Sequence, residues 1–197
     1  MCVAQGVSMP SSDPMMISRI VQIVQAINPQ SILDVGVGCG KYGMLFREYL
    51  DGHWTKSAFH DQSTWKRLII GMEVHKEYIT PVHDYLYDEI LICDAFDWFM
   101  NQAGKFDMIF MGDVIEHFPM VDGVRLLQKI HADWLNPNGH ILITTPNFKT
   151  QINNESLAVF GNKHEVHRCR WGAKDFLDLF PTANIEEGKH ILADIIK

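Results

Sequence analysis

The chain has 197 residues, 47% hydrophobic and 21% charged, a balance that fits one domain with a substantial core and excludes a disordered or fibrous chain. Acidic residues outnumber basic ones 24 to 17, a formal net charge of -7, which disfavours broad adhesion to nucleic-acid backbones. No apolar run approaches the ~20 residues that span a bilayer, and residues 1–10 lack the basic start and apolar stretch of a signal peptide, so a cytoplasmic protein is expected.

The four cysteines, Cys2, Cys39, Cys93 and Cys169, form no CxxC pair; free thiols are expected rather than a zinc knuckle or a disulfide framework. Ser11-Ser12-Asp13-Pro14 reads as a helix cap with proline in the first turn. Ile17, Ile20, Val21, Val24 and Ile27 follow at helical spacing, so an N-terminal helix within residues 1–28 should pack on the core. Residues 31–35 are a short apolar run entering glycines, a first strand. Residues 41–50 predict a helix with Leu45, Phe46 and Tyr49 inward. Residues 51–66 show no period and hold His53, Trp54, His60 and Trp65, which suggests an insertion or lid-like loop.

Strands are expected at 68–74, 89–93 and 106–111, with an irregular or helical piece at 81–87. Residues 121–135 predict a helix with Val124, Leu127, Ile130 and Leu135 on one side, stopped by Asn136-Pro137-Asn138-Gly139. A fifth strand follows at 140–145, then an irregular stretch at 148–167 and a short helix at 174–180. Segments 183–187 and 190–196 flank Gly188-Lys189 as a hairpin. Alternating strands and helices argue for a parallel sheet, and a terminal hairpin adds one antiparallel strand. The expected fold is α/β, a Rossmann-like, doubly wound, seven-stranded and mostly parallel sheet with a C-terminal antiparallel hairpin, in a single domain spanning 1–197.

The strongest local signal is Asp34-Val35-Gly36-Val37-Gly38-Cys39-Gly40. Alternate glycines let the backbone turn sharply from strand to helix and approach a ligand. The dinucleotide fingerprint would place its third glycine at Lys41, so that pattern is not met. An acid beside the loop would repel a pyrophosphate and suits a positively charged ligand without phosphate. The run Asp-x-Gly-x-Gly-x-Gly resembles motif I of the class I S-adenosylmethionine (SAM)-dependent methyltransferases. Ile70-Gly71-Met72-Glu73-Val74, Ile92-Cys93-Asp94-Ala95 and residues 106–118 resemble the next three motifs in order. Residues 135–146 resemble the family's Leu-x-Pro-Gly-Gly turn and strand, with Asn138 in place of its first glycine.

The resemblance implies SAM as cofactor. Gly36, Gly38 and Gly40 would cradle its methionine and ribose end, with Asp34 facing the charged end through water or backbone groups. Glu73 would accept from the ribose hydroxyls, Asp94 from the adenine amino group, and Ala95 and Phe96 would lie against the ring. Asp113 is expected beside both cofactor and acceptor.

Gly112-Asp113-Val114-Ile115-Glu116-His117-Phe118 is the second informative stretch. Asp113, Glu116 and His117 at i, i+3 and i+4 share a face on a helical turn. One reading is architectural. Another is catalytic, with His117 as general base because its ordinary pKa is ~6.5. A third adds a divalent metal. The turn, with His164, His167 and Trp171, resembles the small-RNA 3′-terminal 2′-O-methyltransferases, which implies Asp113, Glu116, His117 and His167 as ligands of Mg²⁺, Mn²⁺ or Zn²⁺. It is also similar to the ubiquinone-pathway O-methyltransferases, which act on phenols.

Trp98, Phe99, Phe110 and Phe118 are expected in the core; Trp54, Trp65 and Trp171 are candidates for lining an acceptor pocket. The expected function is O-methylation of a small hydroxylated molecule. The alternatives are metal-dependent methylation of an RNA 3′ end and a non-catalytic SAM-binding partner protein. The acidic balance, with Lys163, Arg168, Arg170 and Lys174 as the only compact basic group, argues against nucleic acid; a homodimer is a candidate way to close the acceptor side.

Overall fold

The computed structural model describes residues 12–52, 61–147 and 163–197. Seven strands make one sheet: β1 (Ser31–Val35), β2 (Leu68–Glu73), β3 (Glu89–Ile92), β4 (Phe106–Gly112), β5 (Leu135–Pro146), β6 (Asn184–Glu187) and β7 (His190–Ile196). Their order is β3-β2-β1-β4-β5-β7-β6. The first five pair in parallel, and β7 pairs antiparallel with both β5 and β6. The seven-stranded, mostly parallel sheet with an antiparallel C-terminal hairpin is the expected architecture.

Six α-helices accompany it among the described residues: α1 (Ile17–Ile27), α2 (Lys41–Phe46), α3 (Pro81–Leu86), α4 (Ala95–Asn101), α5 (Met120–Lys129) and α6 (Ala173–Leu179). Alternate strand residues point to opposite faces, and both faces are covered. Ile32, Met108, Phe110 and Leu142 pack with residues of α1, α2 and α3. Leu33, Val35, Ile109, Met111, Ile141 and Ile143 pack with residues of α4, α5 and α6. A sheet buried on both sides needs apolar residues at successive positions, which is why β4 and β5 read as nearly continuous hydrophobic runs.

Four local expectations change. Helix α2 ends at Phe46 and opens into a π turn, Arg47–Asp51. That widening turns Arg47 and Leu50 inward and leaves Tyr49 exposed. Helix α5 ends likewise in a π turn, Ile130–Trp134, so Leu135 begins β5 rather than closing the helix. The Asn136–Gly139 turn is a bulge inside β5: the pairing steps from Phe106↔Leu135 to Met108↔His140, and Asn138 has φ 59°. Helix α4, capped by the Asp94 carboxylate accepting from Asp97 N–H at 3.2 Å, is an element the periodicity did not mark.

The tryptophans also depart from expectation. Trp171 is 1% exposed and stacks on Phe176 at 4.9 Å, so it is core rather than pocket wall. The Trp65 ring lies 4.4 Å from the Arg47 guanidinium, away from the cavity described below. Trp54, His53, His60 and residues 148–162 lie outside the described residues.

Candidate active site

Sheet order reverses between β1 and β4, which lie side by side with their following segments departing on opposite faces. Ligands bind open α/β sheets at such a switch point, beyond the carboxyl ends of the strands. A cavity of about 850 Å³ lies there, within the ~300–1,000 Å³ common for small-ligand sites.

The glycine loop forms one wall. Gly36, Gly38 and Gly40 have φ of 76°, 52° and 82°, a region that residues with a Cβ enter at a cost. At Gly36 a Cβ would also stand 2.5 Å from Val114 Cγ2. Backbone hydrogen bonds pin the loop: Gly36 N–H and Val37 N–H both donate to Met72 O, at 2.8 and 3.2 Å. His83, fully buried, supports it from behind. Its Nδ1 accepts from Thr80 N–H at 3.0 Å, so its Nε2–H donates to Gly38 O at 2.9 Å.

The expected cofactor residues divide in two. Gly36, Gly38, Glu73, Asp94, Ala95 and Asp113 line the cavity. Glu73 stands at the end of β2, accepting from Gly38 N–H at 3.2 Å and His75 N–H at 2.9 Å. Burial holds its carboxyl above the usual range, against those two hydrogen bonds. Gly40 instead caps α2, turning the chain without facing the cavity. Asp34 lies behind the wall: it is 1% exposed and does not line the cavity. Its Oδ2 accepts from Tyr87 Oη at 2.6 Å, and Tyr87 Oη accepts from Gly43 N–H at 3.2 Å. Asp34 therefore seats α2 against the sheet rather than meeting a ligand directly, because a strand residue facing the α2 side is covered by that helix.

The acceptor end is built from the chain after β4. Asp113 has φ 56° and Ile115–His117 is a single 3-10 turn, so the helical spacing that would align Asp113, Glu116 and His117 is lost. Asp113 parts from the other two, while all three line the cavity. Asp113 Oδ1 accepts from Thr144 Oγ1 at 3.3 Å and lies 3.8 Å from His190 Nε2. Glu116 is fully buried; its Oε2 accepts from Thr145 Oγ1 at 3.0 Å and its Oε1 has no hydrogen-bond partner among the described residues. Burial foremost, then the Asp113 charge, pushes the Glu116 carboxyl well above the usual range. His117 Nδ1 lies 3.3 Å from Val166 O. Burial foremost, then His167, lowers its pKa to about 4, so its ring is neutral near pH 7.

The segment 163–169 folds across this end. Arg168 N–H and Cys169 N–H both donate to Glu116 O, at 2.8 and 3.2 Å, and the His117 and His167 rings are 5.0 Å apart. Ligand-capable atoms of Glu116, His117 and His167 lie within 4.8 Å of one another, and that group excludes Asp113. Three of the four expected metal donors thus converge, while Asp113 is held by Thr144 and the N-terminal turn.

Sequence reasoning missed several wall residues. Ser12 and Asp13 arrive on the turn before α1, where Lys41 Nζ donates to Ser12 O at 2.6 Å. Tyr78 Oη donates to Glu165 Oε1 at 3.2 Å. His190, at the start of β7, carried no signal because nothing in the hairpin pattern distinguishes a wall residue from an edge residue. Phe118, expected in the core, is partly buried and lines the cavity.

The methyltransferase-domain family model matches residues 15–186. No curated protein shows significant sequence similarity to the chain. Among solved structures, PigF with bound S-adenosylhomocysteine (SAH) superposes with a TM-score of 0.63 at 16% identity, covering 92% of this chain and 54% of PigF. The DhpI–SAH complex gives 0.63 at 15%, covering 92% and 85%. The N-methyltransferase NodS from Bradyrhizobium japonicum WM9, with SAH, gives 0.59 at 14%, covering 94% and 88%. The chain belongs to the methyltransferase-domain family and carries the fold of the class I SAM-dependent enzymes.

Proposed function

We propose that the protein transfers the methyl group of SAM to a hydroxyl of a small molecule. The observation that carries this reading is one continuous cavity joining the glycine loop, Glu73 and Asp94 to the neutral imidazoles of His117 and His167. Glu73 and Asp94 offer carboxylate acceptors for ribose hydroxyls and the adenine amine. Methyl transfer is an in-line displacement, so alignment and exclusion of water supply most of the acceleration. The 163–169 segment suits that task because it covers the acceptor end, and the neutral imidazoles suit a polar, uncharged acceptor group.

Calorimetric titration with SAH tests the cofactor: one-to-one binding is expected, and its absence would overturn the SAM reading. SAH release from SAM with catechol, simple phenols, hydroxyquinones and primary amines tests the acceptor. Turnover of hydroxyls is expected; turnover of amines alone would replace O-methylation with N-methylation.

A second reading is favoured by the Glu116, His117 and His167 group. Two imidazoles and a carboxylate suit a divalent ion, and the fully buried Glu116 Oε1, unpartnered among the described residues, is a free donor atom for one. When bound, the ion would act as a Lewis acid toward the acceptor oxygen. Titration with Mg²⁺, Mn²⁺ or Zn²⁺ should give heat that His167→Ala abolishes; no heat in wild type removes this reading. An RNA acceptor gains little support, since Lys41 and Arg168 are the only Lys or Arg side chains on the cavity wall among the described residues.

A further inference from the structure

We propose that Lys41, beside the N-terminal turn, binds the carboxylate of the cofactor's amino-acid tail; this rests on the SAM reading above. The sheet sets the direction in which the ligand runs. The carboxyl ends of the strands follow one another as β3, β2, β1 and β4. Asp94 follows β3 and Glu73 ends β2, so a nucleoside held by those two carboxylates lies over the β3–β2 half. The rest of the ligand then crosses the glycine loop after β1 toward β4.

Lys41 stands at that end. It opens α2 directly after Gly40 and lines the cavity. The ring of the next residue, Tyr42, packs 4.4 Å from Phe110 of β4. The N-terminal turn reaches the same place. Lys41 Nζ donates to Ser12 O at 2.6 Å and to Ser12 Oγ at 3.2 Å, and Ser12 Oγ donates to Tyr42 Oη at 3.3 Å. Asp13 N–H donates to Asp113, just after β4. Ser12, Asp13, Tyr42 and Asp113 line the cavity as well.

Charge decides what Lys41 meets there. Both oxygens that its ammonium holds among the described residues are uncharged, and an ammonium has three donors. One donor and the positive charge therefore remain for a ligand. Lys41 is partly buried, and a cation drawn out of water without a counter-charge is costly, so an arriving carboxylate relieves it. The charged part of the wall is mostly carboxylate, and Arg168 stands on the segment that covers the acceptor end. A ligand carboxylate thus has Lys41 as its Lys or Arg partner on the glycine-loop side, and such charge-assisted bonds are the strong ones. An α-amino acid also brings an ammonium, to which Asp13 and Asp113 offer carboxylates in the same corner.

Calorimetry with three probes tests the assignment: SAH, decarboxylated SAH, which keeps the ammonium, and 5′-methylthioadenosine, which keeps the nucleoside and sulfur but has no tail. Wild type should bind SAH at least ~10-fold more tightly than decarboxylated SAH. Lys41→Gln keeps a donor for Ser12 and loses the charge. It should lower SAH affinity by about that factor and leave the other two probes within about threefold. Equal losses for SAH and 5′-methylthioadenosine would mean that Lys41 only anchors the turn and would overturn the proposal, as would unchanged SAH affinity. Arg168→Gln should leave the ratio of SAH to 5′-methylthioadenosine affinity unchanged; a fall there would assign the carboxylate to Arg168 instead. If Lys41→Gln does not fold, Lys41→Met repeats the test, and equal wild-type affinity for SAH and its decarboxylated form overturns the proposal without any variant. If wild type binds neither SAH nor 5′-methylthioadenosine, the SAM reading itself fails and the proposal with it; failure of the proposal alone leaves SAH binding intact.

Discussion

Asp34 is fully buried, and burial foremost pushes its carboxyl up to about 7, with the Tyr87 hydrogen bond pulling down and the Glu73 charge adding to the rise. Its unfolded value is ~3.9, so the folded state holds a proton that the unfolded state has lost. Ionising Asp34 therefore opposes folding: stability falls as pH rises from ~3.9 to about 7, by on the order of 4 kcal/mol in all. Asp34→Asn removes this dependence and keeps an acceptor for Tyr87. Between pH 5 and pH 8 the stability difference should move toward the variant by roughly 2–3 kcal/mol, read by urea denaturation at both pH values. An equal difference at both would mean Asp34 is already ionised in the fold. Gly36 carries a second residue-scale expectation. Gly36→Ala must adopt φ 76° and meet Val114 Cγ2 at 2.5 Å, so SAH affinity should fall at least ~10-fold, about 1.4 kcal/mol. Adding Val114→Ala should recover only part, because the dihedral cost remains; full recovery in calorimetry would show that sterics alone were at fault. The motif marked Gly36, Gly38, Glu73 and Asp94 as wall residues because strand-to-helix turns place them there. It could not reveal that Asp34 turns away, since that depends on Tyr87 arriving from 53 residues further along.

At the scale of elements, α2 shows how packing reverses a propensity. Gly43 sits inside that helix, where alanine would ordinarily be favoured by about 1 kcal/mol. Here a Cβ would stand 2.4 Å from Tyr87 Cζ, and Tyr87 is pinned by Asp34. Gly43→Ala is expected to destabilise by about 1–3 kcal/mol, visible as a lower urea midpoint with unchanged slope; a higher midpoint would show that Tyr87 can move. Helices α1 and α5 were legible because their apolar residues recur at helical spacing. Helix α4 was not, because seven residues give barely two turns and its Trp98–Phe99 pair fits no stripe. The π turns after α2 and α5 were equally hidden: each adds a residue to one turn, and after α5 that turn leads straight into β5.

Arg47 ties the molecule together far from the cavity. It is fully buried, paired with Asp51 and Asp88 at 2.8 Å each, and donates to Leu86 O and Arg67 O. It thereby joins the end of α2, the entry to β2 and the link between α3 and β3. Arg47→Met would leave Leu86 O and Arg67 O without their buried donor and the buried Asp51 carboxylate with Arg67 as its remaining ion-pair partner, a loss of about 3–5 kcal/mol. Denaturation should show that loss across the whole transition, while SAH affinity of the folded fraction stays unchanged; a selective loss of SAH affinity would contradict the separation of this network from the site. The sequence by itself determined the sheet, its hairpin, the glycine turn and the two carboxylates at the ends of β2 and β3, because these follow from local periodicity, turn chemistry and chain order. Only the tertiary structure decided that Asp34 is internal, that Asp113 parts from Glu116 and His117, that His167 folds back on them, and that His190 reaches the same cavity. Each of those outcomes depends on segments distant in sequence competing for the same buried carboxylates and imidazoles, and no local pattern encodes which partner wins.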